Sequence, residues 1–133
     1  MYIIICLDDN NGLAFDHRRQ SQDRIVAEDI RKTVGEKKLW ITDYSRKLFQ
    51  AVSNLEISEN PKEEAKEGEY VFQELETLDT GDERIEQFII YRWNRVYPAD
   101  VSVEIGAEWK LTETEEFSGF SHEKITKEIY CRE

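Results

Sequence analysis

The stretch IIICLDDNNG, residues 3–12, begins the segment from Ile3 to Ser45 that decides the fold. Its first five residues form an unbroken apolar run, which predicts a strand buried on both faces. The Asn-Asn-Gly that follows predicts a turn, because these residues tolerate positive φ. A helical pattern over 23–34, a second apolar run over 38–42 and a helical stripe over roughly 44–53 come next. This alternation predicts an α/β domain with a ligand-binding mouth beside the first strand.

The first predicted helix carries two acidic residues beside its apolar stripe. Val26 and Ile30 form the stripe, and Ser21 is the expected N-cap. Asp23 and Asp29 flank the buried face, each three residues from Val26. Basic residues and then a glycine close the helix in the usual order.

The rest of the chain changes character after the second helix. Residues 54–69 are rich in charge and predict a solvated loop or a short exposed helix. Strands are expected from Tyr70 and across 85–96. Alternating patterns at 101–105, 109–111 and 125–131 then predict antiparallel strands in the C-terminal third.

Composition limits the classes of partner. The chain has 133 residues and a formal net charge of −11, and we expect a single domain over 1–133. An acidic surface disfavours nucleic acid and anionic membranes. Neither a secretory signal nor a run long enough to span a membrane is recognisable, so we expect a cytoplasmic location. Cys6 and Cys131 are expected to be free thiols, with a disulfide as the alternative.

The loop after the first strand holds the main binding candidates. Leu13 and Ala14 lie in a small apolar patch that either folds back on the core or lines a pocket. Arg18 and Arg19 either belong to a solvated loop or contact an anion, since the guanidinium fork suits a carboxylate or phosphate.

Other catalytic patterns are missing from the sequence. His17 and His122 have no metal-ligand spacing to another His or Cys, and no metal site is predicted. The Gly-x-Ser-x-Gly motif that marks many serine hydrolases is also absent.

The order of these parts resembles the dihydrofolate reductase family. At the N-terminus the similar parts are Ile3–Leu7, Asn11-Gly12-Leu13-Ala14, the helix 22–34 with Thr33-Val34-Gly35, Leu39-Trp40-Ile41 and the helix from Asp43. At the C-terminus they are 88–96, Ala99-Asp100, Glu108-Trp109-Lys110-Leu111, Glu116-Phe117 and 128–132. The resemblance implies a three-layer αβα sandwich of reduced size, with a mixed central sheet and antiparallel C-terminal strands.

The departures from the family pattern bear on its activity. Val26 aligns with the carboxylate that helps protonate the pterin in that family, which leaves Asp23 and Asp29 as weak candidates for a catalytic acid. Asp43 stands where a helix N-terminus receives the cofactor pyrophosphate, and Tyr91 replaces a threonine that supports the pterin site. The family's Gly-Gly motif is absent, and its strand and following helix are expected to be missing between Tyr70 and Phe88.

The resemblance therefore implies a degenerate relative without the reductase chemistry or a bound cofactor. We expect a small binding or interaction module whose pocket lies between the 10–21 loop and the first helix, for a small anionic ligand or an acidic protein segment. The expected ligand-binding residues are Asn11, Leu13, Ala14, Arg18, Arg19, Ile30 and Tyr91. The alternatives are an NADPH-dependent oxidoreductase acting on a pterin-like substrate and a homo-oligomer formed through an exposed sheet edge.

Overall fold

The computed structural model describes residues 1–133, which form ten strands and three helical segments. In chain order these are β1 Tyr2–Leu7, β2 Gly12–Phe15, β3 Arg18–Arg19, α1 Arg24–Val34, β4 Leu39–Ile41, a 3-10 helix Asp43–Phe49, β5 Leu55–Ile57, α2 Pro61–Glu64, β6 Tyr70–Phe72, β7 Gln87–Arg92, β8 Val101–Ser102, β9 Trp109–Phe117 and β10 Ile125–Arg132. A seven-stranded sheet has the order β5-β4-β6-β1-β7-β10-β9, and β3-β2-β8 form a small second sheet.

Strand β1 lies at the centre of the large sheet. It pairs in parallel with both β6 and β7. Ile3, Ile4 and Ile5 are completely buried, as the unbroken apolar run predicts. β10 then pairs antiparallel with β7 and with β9. The mixed sheet and the antiparallel C-terminal strands are therefore confirmed.

The two faces of the large sheet are covered differently. On one face Val26 and Ile30 of α1 and Phe49 of the 3-10 helix share a core with Ile4 and Ile89. On the other face Leu13, Ile85 and Val103 pack with Ile3 and Phe88. Ile85 and Val103 lie in segments without regular structure. The layer on this face is therefore less regular than the layer on the other face, which contains α1 and the 3-10 helix. None of the helices is long and apolar enough to cross a membrane.

The segment expected to be a loop at 10–21 is a hairpin. β2 and β3 pair antiparallel, and β8 joins β2 on its other side. Asp16 and His17 between the strands both have positive φ, at 51° and 59°. Two residues at positive φ are typical of the tight hairpin turn in which Asn and Gly are the preferred residues. Asp and His at these positions do not predict such a turn, so the hairpin was not expected.

Two local expectations are wrong, and a third is right only in part. Asp23, rather than Ser21, caps α1, and its side chain accepts a hydrogen bond from Ile25 N. The second helix is a 3-10 helix and is shorter than 44–53. The charged 54–69 segment contains strand β5 at the sheet edge as well as the short helix α2.

The strand expected from Tyr70 is confirmed as β6, and no further strand lies between it and β7. β6 is only three residues long, but it fills the space between β4 and β1 with parallel pairing on both sides. No helix follows it: residues 73–86 cross to β7 without regular structure. A short segment can therefore complete the sheet while leaving out the helix.

The large sheet ends in two edge strands, β5 and β9. β9 carries Glu113, Glu115 and Glu116 along its nine residues. These charges would repel a second copy of the same edge. Pairing of two copies through an edge stays a prediction.

Candidate functional site

A small cavity opens at the carboxyl ends of β1, β6 and β7, between α1 and the 3-10 helix. Its apolar wall includes Val26, Ile30 and Phe49, and its polar rim includes Arg19 and Glu74. We call it the central cavity. Its volume is about 30 Å³, which is room for about two water molecules. In this conformation it does not admit a ring system.

Four of the residues singled out in the sequence line the central cavity, namely Leu13, Arg19, Asp23 and Ile30. The other five lie elsewhere: Asn11, Ala14, Arg18, Asp29 and Tyr91. Asn11 accepts a hydrogen bond from the Arg92 guanidinium, Ala14 is buried within β2, and Arg18 is exposed on the hairpin. A binding role for all of these residues stays a prediction.

Asp29 and Tyr91 form a pair beneath α1. The Tyr91 hydroxyl donates to Asp29 Oδ2 at 2.6 Å, and Lys127 Nζ lies 2.9 Å from the same oxygen. Burial, with Asp29 adding to it, raises the pKa of Tyr91. Since Asp29 is committed to these two partners outside the cavity, it is not placed to protonate a ligand there.

An ion pair between Arg19 and Glu74 closes the cavity mouth. Arg19 Nε lies 2.7 Å and Nη2 3.2 Å from the two carboxylate oxygens, a bidentate contact. Ser45 Oγ donates to the same carboxylate at 2.6 Å. The Arg19 guanidinium also lies over the ring of Tyr44, 4.4 Å from its centroid. Both charged side chains are largely buried, with exposed fractions of 22% and 9%.

Asp23 has a second function besides capping α1. Its carboxylate accepts hydrogen bonds from Phe120 N at 2.9 Å and Ser121 N at 2.8 Å, and it lies 3.0 Å from His122 Nδ1. Burial alone would raise the pKa of Asp23, but these hydrogen bonds and that of Ile25 N outweigh it and hold the pKa well below its usual range. The carboxylate thereby fixes the 118–122 turn against the start of α1.

His122 is buried behind Asp23 and has three hydroxyl neighbours, one of which, Ser121 Oγ, lies 3.2 Å from Nδ1. Its Nε2 lies 3.1 Å from Ser21 Oγ and 3.1 Å from the Tyr97 hydroxyl. The indole of Trp93 stacks on the imidazole, with ring centroids 4.7 Å apart. Sequence reasoning missed this cluster, because Ser21 and His122 are 101 residues apart and form no motif.

A larger cleft of about 680 Å³ lies beside the central cavity, at the ends of β4, β5 and β6. It is strongly acidic: its lining includes one lysine, Lys62, and five carboxylates, which are Asp43, Glu59, Glu63, Glu74 and Glu76. We call it the acidic cleft. A phosphate-rich ligand would meet repulsion there.

Neither cysteine forms a disulfide. Burial, with the Glu74 carboxylate adding to it, raises the pKa of Cys6. The thiol therefore stays protonated and is a poor nucleophile although it lines the central cavity. No group of three or more His, Cys, Asp or Glu side chains is arranged to hold a metal ion.

The chain has a dihydrofolate reductase-like fold. It superimposes on a dihydrofolate reductase from Enterococcus faecalis complexed with NADP(H) and RAB-propyl, with a TM-score of 0.64 over 98% of this chain and 95% of that chain. The two sequences are 9% identical, so the likeness shows the fold alone. No protein-family model matches the sequence, and no curated protein matches it significantly.

Proposed function

We propose that this protein is a binding module for a small carboxylate-bearing molecule, built on a reductase fold but without pyridine-nucleotide reduction. The observation that carries this proposal is the bidentate contact between Glu74 and Arg19 at the mouth of the central cavity. The Glu74 carboxylate belongs to the protein itself, and a ligand carboxylate would replace it on the Arg19 guanidinium.

The exchange is chemically balanced. Arg19 offers a planar fork, and Ser45 adds a hydroxyl donor to the same carboxylate. A ligand carboxylate can accept all of these hydrogen bonds, so the guanidinium is never left unpaired. The displaced Glu74 borders the open acidic cleft, where it would be hydrated but would face the other four carboxylates, so ligand binding must also offset that repulsion. Opening the mouth in this way enlarges a cavity that otherwise does not admit a ring system.

Two features argue against the alternative of an NADPH-dependent oxidoreductase. The first is the lack of a free catalytic acid. Val26 aligns with the family's catalytic carboxylate, and the carboxylate of nearby Asp23 already accepts hydrogen bonds from backbone N–H groups and contacts His122. The second is the five carboxylates of the acidic cleft, which oppose the binding of a cofactor that carries several phosphates.

The test is a calorimetric titration with acetate, succinate, glutamate and folate, with NADPH in parallel. We expect a carboxylate to bind and NADPH not to bind. Glu74→Gln removes the internal competitor and should tighten binding about tenfold, equivalent to about 1.4 kcal/mol. Arg19→Gln should abolish binding.

Arg18→Gln is the matched control, since Arg18 is the exposed neighbour of Arg19 and does not line the cavity. It should bind like the wild type. NADPH binding without any carboxylate binding would refute the proposal and restore the oxidoreductase alternative.

A further inference from the structure

We propose that Ser21 is an activated nucleophile and that the protein transfers a short acyl group from an ester to Ser21 and then to water. The proposal rests on a hydrogen-bonded chain of three side chains. Ser21 Oγ lies 3.1 Å from His122 Nε2, and His122 Nδ1 lies 3.0 Å from Asp23 Oδ2. A nucleophile, a base within hydrogen-bond reach and a third group that orients the base form the signature of nucleophilic catalysis.

The carboxylate determines which imidazole nitrogen is free. The Asp23 carboxylate can only accept, so it selects the tautomer with the proton on Nδ1, in which Nε2 is the acceptor that faces Ser21. The Asp23 carboxylate is itself held by Phe120 N and Ser121 N, and Trp93 stacks on the ring. Asp23 is therefore a positioning residue, and the base is preorganised.

The reaction balances without any other reagent. The Ser21 oxygen attacks the ester carbonyl carbon while its proton passes to His122 Nε2. The bond to the alcohol oxygen then breaks, and that oxygen takes the proton from His122. Water repeats the sequence on the acyl-serine, releases the carboxylic acid and regenerates the Ser21 hydroxyl. The net reaction is ester plus water to acid plus alcohol.

The surroundings of Ser21 favour a small acyl group. Ser21 and Asp23 line the central cavity together with the apolar side chains of Val26 and Trp93. A volume of about 30 Å³ favours acyl groups of about the size of acetyl.

Tyr97 provides an internal check on this assignment. Its hydroxyl lies at the same 3.1 Å from Nε2 as Ser21 Oγ does. The single lone pair of Nε2 accepts one good hydrogen bond, so Tyr97 competes with Ser21 for the base. Without the Tyr97 hydroxyl, Nε2 of His122 should accept its hydrogen bond from Ser21 alone.

The experiment is covalent labelling of the whole protein with a small alkyl fluorophosphonate, which loses fluoride to an activated serine. Intact mass and peptide mapping locate the adduct, and acetate release from 4-nitrophenyl acetate is followed in parallel. We expect one adduct, on Ser21. Ser21→Ala should remove it, and His122→Gln should slow labelling about 100-fold or more.

The reagent should label Ser21 faster in Tyr97→Phe than in the wild type. Ser53→Ala, at an exposed serine just before β5, should be labelled at the wild-type rate. Circular dichroism confirms that each variant is folded. Absence of an adduct on Ser21 in both the wild type and Tyr97→Phe would overturn the proposal, as would equal labelling rates with and without His122. Since Arg19 takes no part in labelling, the result is independent of the carboxylate proposal.

Discussion

Replacing Asp23 with Asn tests the connection between α1 and the 118–122 turn. The change keeps the size of the side chain but puts an N–H₂ group where one carboxylate oxygen stood. The carboxylate accepts from Ile25 N and Phe120 N through Oδ1, and from Ser121 N and His122 through Oδ2. An amide oxygen can serve one of these sides only.

The cost follows from the donors left without an acceptor. If the amide oxygen keeps the Oδ1 partners, Ser121 N and His122 Nδ1 face an N–H₂ group. An unsatisfied buried donor costs about 1–3 kcal/mol, and the opposite orientation loses the helix cap, which is worth about 1 kcal/mol. We expect Asp23→Asn to lower the free energy of unfolding by about 2–4 kcal/mol at pH 7.

The effect should depend on pH in a defined direction. Hydrogen bonds hold the pKa of Asp23 in the folded protein below its value in the unfolded chain, which is about 3.9. Its contribution is therefore fully present above that unfolded value and is lost as pH falls from about 5 toward the folded pKa. The difference between wild type and Asp23→Asn should shrink over the same range.

Urea unfolding followed by circular dichroism at several pH values measures both quantities. Asp9→Asn is the control, because Asp9 is exposed and its side chain makes no hydrogen bond; we expect a change below about 0.5 kcal/mol. If Asp23→Asn unfolds within about 0.5 kcal/mol of the wild type at pH 7, the carboxylate does not hold the turn, and the reasoning fails.

Two further predictions concern the neighbourhood of the same cavity. A Cβ on Gly119 would lie 2.6 Å from Asp23 Oδ2 and 2.9 Å from the His122 carbonyl oxygen. Gly119→Ala should therefore lower the free energy of unfolding, measured in urea, by about 1–3 kcal/mol. Gly106→Ala is the control, because its Cβ meets only the flexible Glu108 side chain, and an equal loss of stability there would contradict the prediction. The raised pKa of Cys6 should make its thiol slow to react with a chromogenic disulfide at pH 8. In a Cys131→Ser background, we expect the reaction to be at least about tenfold slower in the folded protein than in the urea-unfolded protein. Equal rates would refute this prediction.

The sequence predicts the central strands and the first helix because their signals are local. The unbroken apolar run Ile3–Leu7 predicts a buried strand, and the four-residue spacing of Val26 and Ile30 places one face of α1 on the sheet. The 10–21 hairpin and β5 were missed for the opposite reason. Asp16 and His17 are ordinary residues held at positive φ, and β5 lies within a charged segment where composition obscures the pattern.

The polar part of the site depends on pairs that are far apart in the chain. Arg19 and Glu74 are 55 residues apart, and Ser21 and His122 are 101 apart. No spacing rule connects such residues, because the sheet order, and not the chain, brings them together. The sequence could identify Arg19 and Asp23 as candidate site residues, but their partners are evident only in the folded structure.

An α/β sheet binds its ligands at the carboxyl ends of its parallel strands. In this chain, charged side chains that contact one another occupy that end of the sheet. Arg19 is neutralised by Glu74, and Asp23 is fixed by the 118–122 turn. The residues that hold these contacts come from the hairpin, from the segment after β6 and from the turn before β10. Only the first contact is an exchangeable ion pair. The carboxylate ligand that we propose could therefore exchange only with the Glu74 carboxylate at Arg19, whereas Asp23 and His122 would keep their contacts whether or not the mouth opens.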